Sequence, residues 1–202
     1  TRSSKTLKSL WVESERLLAA HRRFHAIHAE DATGHASRYH EKLADMISAL
    51  APRGVSEPLR LAAHCQHLRR QQLPRSRYPE GVLGYKQWRS ELARLHADEA
   101  RKILIEVGYD EVLAERVSDL LLKKRLKTDP EVQLFEDAIC LTFLVVDLTP
   151  FAAKHPAKKV IDIVKKMWAK MSNRGHEMAR LLVPSLPSPL AELGAEAISA
   201  PA

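Results

Sequence analysis

His64 and His67 stand three residues apart in LRLAAHCQHLRR, residues 59–70, and Arg69 and Arg70 follow directly. Imidazoles on one side of a helix can hold a first-row transition metal or move a proton, and guanidinium groups beside them bind phosphate or carboxylate oxygens in pairs. Leu61, Cys65 and Leu68 make the apolar stripe of this helix, with His64 on its flank and His67 one step further round, so both reach the edge of a core. A titratable residue on an apolar stripe must be satisfied by a partner, a metal or a substrate. Tyr85, Arg89, Leu92, His96, Ala100 and Ile103 recur at three- and four-residue steps, which puts Arg89 and His96 on a buried side. Leu134, Asp137, Ala138, Leu141, Leu144 and Val145 form a second stripe, with Asp137 inside it and Glu136 turned aside. Lys124 shares a face with Leu113, Val117, Leu120 and Leu121, pointing inward near the end of its helix where a long side chain still reaches solvent. His40 flanks the Leu43 and Ile47 face, whereas Glu41 should face water.

Taken singly, a histidine beside a core is more often a hydrogen-bonded structural group than a ligand. An inward aspartate is rarer, because an unpaired buried carboxylate is costly. Together, His40, His67, His96 and Asp137 on separate helices describe a site for a divalent transition metal such as Fe, Mn, Zn, Co or Ni. Neither HExxH nor CxxC occurs. Around these residues gather Arg69, Arg70, Arg75, Arg77, Arg89 and Lys124, with Tyr78, Tyr85 and Trp88 interleaved. A solvated basic surface is the plain account of such a run. The sharper one is an anion pocket, with Arg69, Arg75, Arg77, Tyr85 and Arg89 holding substrate and Asp137 and Lys124 serving the chemistry.

The elements that must position these groups read as helices throughout. One covers about Leu10 to Ile27; the turn formers of HAEDATGHAS follow, then a helix ending at APRG. Ser56 caps the helix of the opening motif. Pro74, Pro79, Gly81 and Gly84 break QLPRSRYPEGVLGYKQW into a long loop, expected to be ordered and to wall the pocket. Further helices run from about Tyr85 to Val107 and Asp110 to Leu126. Another, with Thr128 or Asp129 as cap and Pro130 in its first turn, extends to Leu148, and the last cover about Pro156 to Met171 and His176 to Leu182. No alternating strand pattern and no repeat occurs, so the fold class is all-α. The chain divides into a frayed basic terminus, 1–9, one helical domain, 10–182, and a flexible Pro- and Ala-rich tail, 183–202.

With 202 residues, 45% of them hydrophobic, the chain can bury one ordinary core. The formal net charge of +7 favours anionic partners. Cys65 and Cys140 are too few for a disulfide framework and suit a reducing cytoplasm. No apolar run of about 18 residues and no charged-then-apolar leader appears, so neither membrane nor secretion is expected.

The blocks AAHCQHLRR, PRSRYP, GYKQWRSELARLHADEA, GYDEVLAERVSDLLLKK, DPEVQLFEDAICLTFL and MSNRG resemble a bacterial and fungal family described as a domain of unknown function, over about residues 24 to 182. That family is similar, more distantly, to the HD superfamily of metal-dependent phosphohydrolases. The resemblance implies an all-α, HD-like fold with a metal held by histidine and aspartate from several helices. His67 in CQHL resembles the motif histidine, Asp137 in EDAICL the last ligand, and His96 the additional histidine of some subfamilies; His40 is the nearest candidate for the first ligand. Leu68 stands where the HD motif has its aspartate. The resemblance thus implies a metal-dependent hydrolase of a phosphorylated or otherwise anionic small molecule. The alternative is a non-catalytic protein with a vestigial site, binding nucleic acid such as a structured RNA through phosphates.

Overall fold

Ser56, Asp110, Asp129 and Ser172 each precede a run of apolar residues, and each caps a helix. Their side-chain oxygens accept from the amides of Leu59 at 3.3 Å, Leu113 at 2.8 Å, Glu131 at 3.0 Å and Gly175 at 3.3 Å. The computed structural model describes the backbone of residues 2–199 and the side chains of residues 15–199, and its regular elements are all helical. They are α1 (Arg2–His28), α2 (His35–Leu50), α3 (Glu57–Cys65), α4 (Gly81–Glu106), α5 (Glu111–Leu121), α6 (Pro130–Thr142), α7 (Leu148–Ala152), α8 (Ala157–Trp168), α9 (Asn173–Leu182) and α10 (Leu190–Ser199). A π-helical stretch, Phe143–Asp147, joins α6 to α7. The class is all-α, and among the described residues no helix is long and apolar enough to cross a membrane. The stretch 1–9, read as a frayed terminus, lies outside the residues whose side chains are described.

Two compact units make up the domain, residues 1–41 with 56–124 and residues 42–55 with 125–202. Because the chain leaves the first unit and returns to it, neither is continuous in sequence, and no linker or composition shift marks them. In the first, α3 and α4 pack on α5 and α1 packs on α3, around Phe24, Leu61, Cys65, Leu68, Leu92 and Leu104. In the second, α6 packs on α9 and α8 on α10, around Phe135, Leu141, Leu144, Val160 and Val164. Cys65 and Cys140 are both buried, and neither is in a disulfide.

Several boundaries differ from the sequence reading. Helix α4 begins at Gly81, not Tyr85, so the connection before it is shorter and itself holds 3-10 turns at Arg70–Gln72 and Arg75–Arg77. Pro79 lies so close that a Cβ on Gly84 would stand 2.0 Å from its carbonyl oxygen. Gly84→Ala should therefore cost about 1–3 kcal/mol by overpacking, read as a lowered urea midpoint; an unchanged midpoint would show that the loop yields freely. Helix α5 ends at Leu121, and Lys123, Arg125 and Lys127 then take left-handed backbone at φ 56°, 60° and 74°. In the segment 183–202, expected from its composition to be loose, the described residues 183–199 form a 3-10 turn and α10, because Leu190, Gly194 and Ala197 line one buried face.

Candidate functional site

Within the first unit, α1, α2, α3 and α4 each bring histidines inward, and the turn after α3 adds His67. The His28 ring stacks on His40 with centroids 3.8 Å apart, His40 stands 5.7 Å from His67, and His67 stands 5.7 Å from His96. On the other side of His28, its Nε2–H donates to the His64 carbonyl at 2.8 Å, and the His64 ring lies 4.3 Å from that of His21. His40 and His96 are 2% and 5% exposed, whereas His67 is half-buried.

Backbone carbonyls fix two of these rings. His40 Nδ1–H donates to the Ala36 oxygen and His96 Nδ1–H to the Leu68 oxygen, each at 2.6 Å. A carbonyl oxygen can only accept, so in the neutral ring the lone pair falls on Nε2. Both Nε2 atoms are buried and make no hydrogen bond among the described residues. His67 makes none there from either nitrogen; its neighbours are the rings of His40, His96 and Tyr39.

Burial dominates the electrostatics. It holds the His40 and His67 imidazoles well below the usual histidine range, and lowers His96 and His64 to about 4. Neighbouring imidazoles and the guanidinium groups of Arg70 and Arg89 add to the lowering at His67 and His96. No carboxylate is among the groups that shift these rings. The cluster is therefore neutral at pH 7, rich in lone pairs and bordered by cations.

The residues singled out by sequence separate into distinct places. His40, His67 and His96 come together in the first unit. Asp137 lies in the second, 2% exposed, where Oδ1 accepts from the Ser172 amide at 2.8 Å and from Gln133 Nε2 at 2.9 Å, and Oδ2 accepts from the Ser172 hydroxyl. Lys124 points outward, its ammonium 2.7 Å from Asp119 and 3.0 Å from Glu115. Arg69 pairs with Glu99 at 2.9 Å, Arg75 donates to the Tyr78 and Pro79 carbonyls, and Arg77 donates to the Gln72 carbonyl, so these three hold the connection before α4 together.

Arg89 and Tyr85 are exposed rather than inward, because Gly84 and Trp88 take the buried places one residue earlier on α4. Glu136, read as turned aside, is 1% exposed, with Lys170 Nζ 3.5 Å from its Oε1. Missed by the sequence reading is His28, which stacks on His40. His21, His25 and His28 recur at helical spacing on α1, which was the available signal.

Among the described residues, no group of three or more histidine, cysteine, aspartate or glutamate side chains is placed so that it could hold a metal ion. No curated protein and no solved structure matches the chain. The sequence model of the family described as Domain of unknown function (DUF4202) matches residues 18–193, and the chain belongs to that family.

Proposed function

We propose that the first unit is a metal-dependent hydrolase centre acting on a phosphorylated or otherwise anionic small molecule, with His40, His67 and His96 as the residues that hold a divalent first-row metal. The observation that carries this reading is the pair of buried, unpartnered Nε2 lone pairs on His40 and His96. Each belongs to a ring whose Nδ1–H is spent on a backbone carbonyl, which is the support that metal-ligating histidines ordinarily receive. Imidazoles sharing a tetrahedral ion, with metal–nitrogen distances of about 2.0–2.1 Å, stand about 5 Å apart at their centroids. The spacings of 5.7 Å on either side of His67 are close to that. Closing the remaining gap falls to the His67 ring, which no hydrogen bond among the described residues restrains. The sequence resemblance to HD phosphohydrolases points the same way.

A divalent ion there supplies a Lewis acid that polarises a phosphoryl oxygen and acidifies water. The chain does the rest. Low imidazole pKa values keep the donors unprotonated at pH 7. Arg89, exposed and without an ion pair among the described residues, and Arg70, whose guanidinium lies over the Trp88 ring at 5.3 Å, offer cations to the oxygens of an anion beside His67 and His96. Asp137 has both oxygens engaged inside its own unit and Lys124 is held by carboxylates, so neither takes part in this centre.

Elemental analysis of protein purified without a tag or chelator is the test. One equivalent of metal per chain is expected, falling to less than a tenth in His96→Gln while the helical circular dichroism survives. Metal-free protein that also fails to take up Zn, Mn, Fe, Co or Ni on titration would end the reading.

A further inference from the structure

A cleft of about 360 Å³ opens in the second unit between α7, α8 and the segment leading into α10. Its walls are apolar: Ala152 from α7, Val160 from α8, and Leu190 and Leu193 from α10. A small-molecule site is typically an apolar concavity with a few polar groups at defined points. His155 supplies one such group. Its ring is held 4.3 Å from that of Phe151, so it has a fixed place on the cleft wall, yet its nitrogens make no hydrogen bond among the described residues. Ser188 supplies another, its hydroxyl donating to Glu192 at 3.2 Å, which takes up the carboxylate nearest in sequence to the lining.

Charge decides the polarity of the ligand. Lys154 precedes His155 in sequence, and Lys158 and Lys159 stand in the first turn of α8, where no acidic residue offsets them. All three are exposed and none has an ion-pair partner among the described residues. No aspartate or glutamate lines the cleft. We infer that this cleft binds a small amphiphile with an aliphatic body and one anionic head, of the aliphatic monocarboxylate class. The chain lies against Ala152, Val160, Leu190 and Leu193, and the head sits at His155, on the stretch of the lining that Lys154 and Lys158 flank in sequence. The site is independent of the histidine cluster in the other unit.

Decanoate below its micellar concentration is the probe, titrated into the full chain by calorimetry, with decanol as the uncharged comparison. One saturable site is expected. Ala153→Phe should weaken binding at least tenfold, since Ala153 lines the cleft from an exposed position and its replacement fills the space without displacing the core. Ala157→Phe tests the same volume from α8, should the first variant fold poorly by circular dichroism. Changing Lys154 and Lys158 together to Gln should weaken decanoate severalfold and leave decanol unchanged. No saturable binding, or binding unaltered in both folded phenylalanine variants, overturns the site. Decanol binding as tightly as decanoate, with no effect of the lysine changes, overturns the anionic head.

Discussion

Acidification from pH 7 to about pH 4 should remove about 3 kcal/mol of folding stability through His96 alone. The unfolded imidazole titrates at 6.5 and the folded one at about 4, because burial between α3 and α4 disfavours the charged ring. Between those values the unfolded chain binds a proton that the folded chain refuses, so stability rises with pH across the window and is lost as pH falls through it. A difference of about 2.5 units at about 1.36 kcal/mol each gives the magnitude. His40 and His67 are shifted in the same direction, so the loss adds to that of His96. Carboxylates act lower: hydrogen bonds from the Thr33 hydroxyl and the Ala36 and Thr33 amides hold Asp31 at about 2, so its contribution disappears only as pH falls from 3.8 through that value. Urea unfolding followed by circular dichroism at several pH values, in the presence of a chelator, measures the slope. His96→Gln should make it shallower between pH 6.5 and 4, the remaining slope belonging to the other buried histidines. A wild-type slope near zero there would mean that the histidines are solvated.

That cluster is half legible in the sequence. His67 and His96 stand out because imidazoles interrupt apolar stripes on α3's continuation and on α4, and His40 does so beside Leu43 and Ile47. His28 escapes because, although His21, His25 and His28 share one face of α1 by spacing, periodicity does not say what covers that face. The spacing places Arg89 inward because a step from residue 85 through 89 to 92 and a step from 84 through 88 to 92 both end on the same leucine. Only the contact of Gly84 with Pro79 and the Trp88 indole, which donates to the Leu73 carbonyl at 2.8 Å, decides between them. Glu136 defeats the periodicity for a different reason. Helix α6 buries Phe135, Glu136, Asp137, Ala138 and Cys140, so its sides are covered nearly all round and a stripe no longer separates inside from outside. In α10 the buried face is built of Gly194 and Ala197, small residues that a composition count assigns to a tail; a Cβ at Gly194 would stand 3.0 Å from Val183 Cγ1, which is why they are small.

Asp137→Ala should lower the stability of the chain by about 3–5 kcal/mol, and Asp137→Asn by only about 1–2 kcal/mol. The carboxylate ties α6 to the start of α9. Oδ1 receives the Ser172 amide at 2.8 Å and Gln133 Nε2 at 2.9 Å, and Gln133 is itself fixed as a donor by the Lys170 carbonyl at 3.0 Å. Gly175 lets the group approach: a Cβ there would stand 2.9 Å from the Asp137 carboxyl carbon. Alanine leaves the Ser172 amide and one of the two Gln133 Nε2–H groups without an acceptor, the other still donating to the Lys170 carbonyl, and each buried unsatisfied donor costs about 1–3 kcal/mol. Asparagine can keep its oxygen in the Oδ1 place. Its NH2 then replaces the Oδ2 acceptor, and the Ser172 hydroxyl, which is free to rotate, turns from donor to acceptor while still receiving the Gly175 amide at 3.3 Å. What is lost is the charge assistance to the three bonds. Thermal melting of both variants, together with their metal content, separates this structural role from the ligand role that the sequence resemblance assigns to Asp137. An Asp137→Asn protein that melts like the wild type but has lost its metal would make the carboxylate a ligand and overturn its structural role as the tie between α6 and α9.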